Sequence, residues 1–176
     1  MRDEATSALL SIANEVLDGY VAALGTLDDE TANLSPAPGT VNTAFALVKH
    51  VHGMSRFWGG SVISGLAFPR DREAEFQAEG TIDDALNLVD EIRSELPAWA
   101  DNAARHGVLD PSARGTSRTD VADVGPEWIL AHMVRELSQH LGHLEVCRDM
   151  VLAQDWIRAI SFDSDEQIFG RNPDIE

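Results

Sequence analysis

The 176-residue chain has one cysteine, Cys147, and one lysine, Lys49. A single cysteine cannot close an intrachain disulfide or build a Cys-rich zinc motif, so nothing in the chain asks for an oxidising compartment. Positive charge is scarce: 13 basic residues face 30 acidic ones, for a formal net charge of -17. A field of that sign repels phosphate backbones and anionic head groups, which argues against nucleic acid and membrane surfaces as partners. Long apolar runs are missing too, and no window approaches the roughly 18 consecutive apolar residues of a spanning helix. The opening MRDEATSALLSIANEVL lacks the basic start and unbroken apolar stretch of a signal peptide. The cytoplasm is then the simplest location.

What is present is helical periodicity. With 44% hydrophobic and 24% charged residues, the chain is long enough to bury the core of one ordinary domain. Leu9, Leu10, Ala13, Val16, Leu17 and Tyr20 repeat at three- and four-residue spacing and predict a first helix from about Asp3 to Leu24. After the breaker Ser35-Pro36-Ala37-Pro38-Gly39, a second helix is expected from about Val41 to Ser64. Gly65 to Gly80 reads as a polar connection, and Thr81-Ile82-Asp83-Asp84 has capping-box spacing ahead of a third helix, which Pro97 should kink or interrupt. His106 to Gly125 is a long irregular stretch, expected to edge a site or to move. Pro126 suits the first position of a fourth helix running to about Gln154. The expected architecture is an all-α four-helix bundle over residues 1–154, followed by an acidic extension over 155–176. Trp156, Ile157, Ile160, Phe162 and Phe169 suit that extension for docking on the bundle or on another subunit, with a poorly ordered tail as the alternative.

The fourth helix carries a polar stripe on its apolar face. At about 100° per residue, Ile129, Met133, His140 and Cys147 lie within about 60° of Glu136 on one side, and His132 and His143 within about 40° on the other. A buried carboxylate must be neutralised, paired or bound to a cation, and the neighbouring imidazoles suit a cation. A hydrogen-bonded Glu–His cluster that only fills the bundle is the competing reading. On the second helix, His50 and His52 are two residues apart and cannot face the same way. Leu47, Met54 and Phe57 put His50 in the middle of the core stripe and His52 on the other side.

His50, Glu136 and His140 would give two imidazoles and one carboxylate on facing helices, an open set of the kind found in catalytic rather than structural metal sites. Spacing leaves other sets open, since His132 with Glu136 is also i,i+4 and His140 with His143 is i,i+3. His143 and His132 are the candidates for a general base. Cys147, on the core stripe, reads as a buried small hydrophobe. No Glu-x-x-His pair and no His-Glu-x-x-His occurs, which argues against a ferritin-like di-iron bundle and excludes a zincin.

LVKHVHGMSRFW (Leu47 to Trp58) and WILAHMVRELSQHLGHLEVCRD (Trp128 to Asp149) resemble the paired signatures of the DinB/YfiT-like superfamily, and most closely its mycothiol-dependent branch, which includes maleylpyruvate isomerase. The resemblance covers about Thr6 to Gln154. It implies an up-up-down-down bundle, often dimeric, with the metal on His50, Glu136 and His140. Glu136 is the residue that points to the mycothiol branch, because a histidine takes its place in many superfamily members. His52, where a small or apolar residue is commoner, and the extension after Gln154 depart from the family pattern.

The resemblance further implies a transferase or isomerase in which a divalent metal activates mycothiol or a similar low-molecular-weight thiol toward a small electrophilic substrate. Zinc leads on ligand preference, and nickel, iron or manganese also suit the donors. Arg114 and Arg118 in the long loop are candidates to hold an anionic thiol. A hydrolase with a metal-bound water and a catalytically silent stress-related metal-binding protein are the alternative readings.

Overall fold

Local hydrogen bonds set where the helices begin. In the computed structural model, residues 4–37, 39, 41–114 and 124–169 are described, the side chains of 114 and 155–169 excepted. Helix α1 spans Glu4–Leu24, and the single turn α2 spans Asp29–Ala32. Thr43 accepts from the Ala46 N–H at 3.1 Å and starts α3, Ala44–Ser55, which continues without a break as a π-helical stretch over Arg56–Ile63. A second single turn, α4, spans Arg72–Glu75. The capping box at Thr81 and Asp84 is present and opens α5, Ile82–His106. Pro126 opens α6, Pro126–Phe169.

All elements among the described residues are helical, as the periodicity requires. Helices α5 and α6 each pack against both α1 and α3, which puts α1 and α3 at opposite corners of the bundle. Leu17, Tyr20, Val48, Val51, Ile92, Met133, Leu137 and Leu144 are buried at the centre. The Tyr20 hydroxyl donates to the Leu137 carbonyl at 2.9 Å, so this fully buried polar group has a partner.

The structure departs from the periodicity in four places. Helix α5 runs uninterrupted through Pro97. The backbone of α6 stays helical past Gln154 to Phe169, so composition alone misplaced that helix end. Within Gly65 to Gly80 the chain makes α4, too short to show a period of its own. Finally, the second helix changes pitch at Arg56, where Gly59 and Gly60 let aromatic rings come close: a Cβ on Gly59 would overlap the Trp99 ring, and one on Gly60 the Phe68 ring.

The start of the long connection is tied down. The Leu109 and Asp110 N–H groups donate to the Ile63 and Val62 carbonyls at 3.1 Å, and Pro111–Arg114 makes a 3-10 turn. Arg118 and the Arg114 side chain, expected near a thiol, lie outside the described residues, as do the apolar side chains of the C-terminal extension.

Candidate metal and thiol site

Helix α3 is covered almost all round, because α5 and α6 flank it and α4 lies over its remaining side. His50 and His52 are therefore both buried, although they point apart. His52 Nε2 is 2.7 Å from Oε2 of Glu91 on α5. Burial lowers the His52 pKa, with Glu91 working against that shift. The sequence stripe assigned His52 to the side away from the site correctly. It gave no sign that α5 would cover that side.

His50 faces α6. Its ring is edge-on to His140, with centroids 4.7 Å apart, and stacks on Phe76 at 4.4 Å. On α6, the Nε2 of His140 is 3.9 Å from Oε2 of Glu136. The other Glu136 oxygen, Oε1, accepts a hydrogen bond from Arg135 Nη2 at 2.7 Å. His50, Glu136 and His140 thus meet at one place in the bundle.

His132 meets them differently. It lies between Trp128, stacked at 5.1 Å, and Trp58, edge-on at 5.1 Å. Its Nδ1 accepts from Arg135 Nη2 at 3.0 Å, so that nitrogen already has a hydrogen to bind, and Glu136 Oε1 is 3.7 Å away. His143 is exposed, with its ring 5.5 Å from that of His140. The sequence placed it on the core stripe, but the buried stripe is centred nearer Leu137 and Leu144, which leaves His143 on its margin.

The donor chemistry fits a divalent cation. Burial, reinforced by the adjacent His50, pushes His140 down to about 4, so its imidazole is neutral at pH 7 and has a lone pair to give. Burial tends to raise Glu136, but the hydrogen bond and the charge of Arg135 help to hold it below the usual carboxylate range, so it is anionic. Nδ1 of His140 is buried and has no hydrogen-bond partner. The His140–Glu136 gap of 3.9 Å is too long for a hydrogen bond, whereas two donors on one tetrahedral zinc stand about 3.4 Å apart. Among the described residues, no three His, Cys, Asp or Glu groups are drawn tightly enough to hold an ion as they stand. Closing the cluster takes roughly half an ångström at this pair.

A cavity of about 220 Å³ opens beside the cluster. His50, His132 and Glu136 supply its polar wall, Met54, Phe57 and Trp58 its apolar wall, and Arg70 and Arg72 its cationic rim. This is room for a small electrophile beside an activated group. Cys147 lies away from it, buried, with Sγ donating to the Asn42 carbonyl at 3.4 Å and its pKa raised by burial.

One buried acid was not singled out from the sequence. Glu75 of α4 is 6% exposed, and its Oε2 lies 2.9 Å from His50 Nδ1. Arg70 grips the same carboxylate, Nε to Oε1 at 2.7 Å and Nη2 to Oε2 at 3.0 Å. Burial works to raise its pKa, but the hydrogen bonds from His50 and Arg70 and the Arg70 charge outweigh it, so the carboxyl sits below its usual range. Three other acidic residues within four positions, Asp71, Glu73 and Glu79, hid Glu75 among solvated neighbours. The one available signal was Asp71, a helix cap four residues earlier.

Among known proteins, the family model described as mycothiol-S-transferase matches residues 8–152. No curated protein and no solved structure matches.

Proposed function

Because the chain belongs to the mycothiol-S-transferase family, we propose that it moves the sulfur of mycothiol onto a small electrophile at a divalent metal site formed by His50, Glu136 and His140. The observation that carries this reading is the meeting of His50, from α3, with the Glu136–His140 pair of α6 beside one cavity. A divalent cation bound there would favour the thiolate form of mycothiol at neutral pH.

The chain's own groups have separate tasks. His50, neutral His140 and anionic Glu136 are the donors, and Arg135 occupies the Glu136 oxygen that does not face His140. Met54, Phe57 and Trp58 keep the cavity apolar on one side and limit water around the reacting sulfur. Arg70 and Arg72 favour an electrophile that carries or develops negative charge. The thiol proton needs an acceptor, and exposed His143, next to His140, is better placed to exchange it with solvent than His132, whose Nδ1 takes the Arg135 hydrogen.

Zinc suits two imidazoles and a carboxylate. The test is transfer of mycothiol to a chromogenic electrophile by metal-loaded protein, alongside cobalt-substituted protein titrated with mycothiol. The reading predicts thiol-dependent turnover and a cobalt spectrum that shifts on thiol addition. Turnover without thiol would point instead to hydrolysis, and metal binding with no spectral response to thiol would point to a silent site.

A further inference from the structure

The placement of Glu75 does more than bury an ion pair. Both oxygens of Glu75 accept from Arg70, so the carboxylate has no hydrogen to donate and the 2.9 Å contact requires the hydrogen of His50 to sit on Nδ1. In the neutral ring the lone pair is then on Nε2. The 3.5 Å approach of Arg70 Nη2 to Nδ1 is proximity, since both atoms carry hydrogens and both are drawn to Glu75.

Three features fix this arrangement. Arg70 grips both carboxylate oxygens, which removes rotation about the last bond of Glu75. Gly53, one residue short of a full turn from His50, leaves room for the carboxylate, because a Cβ there would overlap Glu75 Oε1. Phe76, the next residue along, stacks on the His50 ring at an interplanar angle of 23° and sets its plane. The turn α4, capped by Asp71 through the Glu73 and Ala74 N–H groups, thus supplies both a hydrogen-bond acceptor and a stacking face to one imidazole.

We propose that Glu75, clamped by Arg70 over Gly53, is a positioning residue that holds His50 in its Nδ1–H tautomer and turns Nε2 toward the metal. This rests on the reading of His50 as a metal ligand. An imidazole that must find its tautomer and orientation during metal binding binds more weakly, and removing such a carboxylate typically costs about 10–100-fold in metal affinity.

His52 and Glu91 form a comparable imidazole–carboxylate pair on the far side of α3, but Glu91 lies on α5 and is 55% exposed, so Glu91→Gln is the matched control. The experiment has two arms on the full chain. Nitrogen-15 NMR of the metal-free wild type reads the His50 tautomer, expected as Nδ1–H. Competition with a chromophoric chelator reads zinc affinity. Glu75→Ala is expected to bind about 10–100-fold more weakly, Glu75→Gln by a smaller factor because it keeps an acceptor, and Glu91→Gln like the wild type.

An Nε2–H tautomer of His50 in the wild type overturns the inference with no variant needed. So does a Glu75 variant, folded by circular dichroism, that binds zinc as tightly as the wild type, or an equal loss in Glu91→Gln. If Glu75→Ala does not fold, Glu75→Gln decides. A wild type that binds no zinc overturns the metal reading and this inference together. Zinc binding unaffected by Glu75 overturns the inference alone.

Discussion

The His50 ring stands edge-on to His140, 4.7 Å between centroids, and joins α3 to α6 in the polar part of the bundle. Two rings in that relation attract one another only weakly, while Nδ1 of His140 stays buried without a partner. A bundle held by packing alone gains nothing from such a pair. The Nε2 of His140, 3.9 Å from Glu136, is the atom that a cation between the two groups would take.

The ligand set can be separated by substitution. His140→Ala is expected to abolish stoichiometric metal binding, whereas His132→Ala, which removes a ring held between Trp58 and Trp128, is expected to keep the metal and lose mainly transfer rate. Metal content measured on the two purified variants checks this. Retention by His140→Ala with loss by His132→Ala would reassign the ligands.

The cysteine should be a bystander. Cys147 is buried and donates to Asn42, with a raised pKa, so a thiol reagent should label it only after denaturation. Cys147→Ser, which keeps a donor for the Asn42 carbonyl, is expected to retain mycothiol-dependent transfer.

The pitch change in the second helix is a close fit. Gly59→Ala places a methyl group against Trp99 and is expected to destabilise the fold by about 1–3 kcal/mol, read as a lower urea midpoint. Trp58, next in sequence, lines the cavity, so weaker binding of the electrophile should accompany the loss.

Acid weakens the helix caps with a definite sign. The hydrogen bonds from the Thr81 side chain and backbone hold Asp84 below the usual aspartate range. Its contribution is therefore present above the unfolded value of about 3.9 and is lost as pH falls through the lower folded value. Thr81→Ala, which removes the leading bond, should show a smaller loss of stability between pH values of about 5 and 2 in thermal melts.

The long elements and the polar stripe were legible because 3.6-residue periodicity is a property of neighbouring residues. Helical phase alone separated His50 from His52 and placed Glu136 beside His140. The end of α6 was not legible, since the acidic segment after Gln154 lowers hydrophobicity without breaking a helix. The burial of His52 depends on α5, far away in sequence. Glu75 was hidden for the same kind of reason: a single turn carries no period, and its partner His50 is 25 residues distant. The sequence alone did not choose among the histidines of α6. In the structure their surroundings differ: His132 is held between two Trp rings, His143 is exposed and His140 stands beside His50.

Metal analysis of the chain, purified without chelator or nickel affinity resin, tests the central claim most directly when wild type and His50→Ala are compared. The account predicts about one divalent ion per wild-type chain and a small fraction of that in the variant. Only a trace of metal in the wild type, or the same content in both proteins, would contradict it.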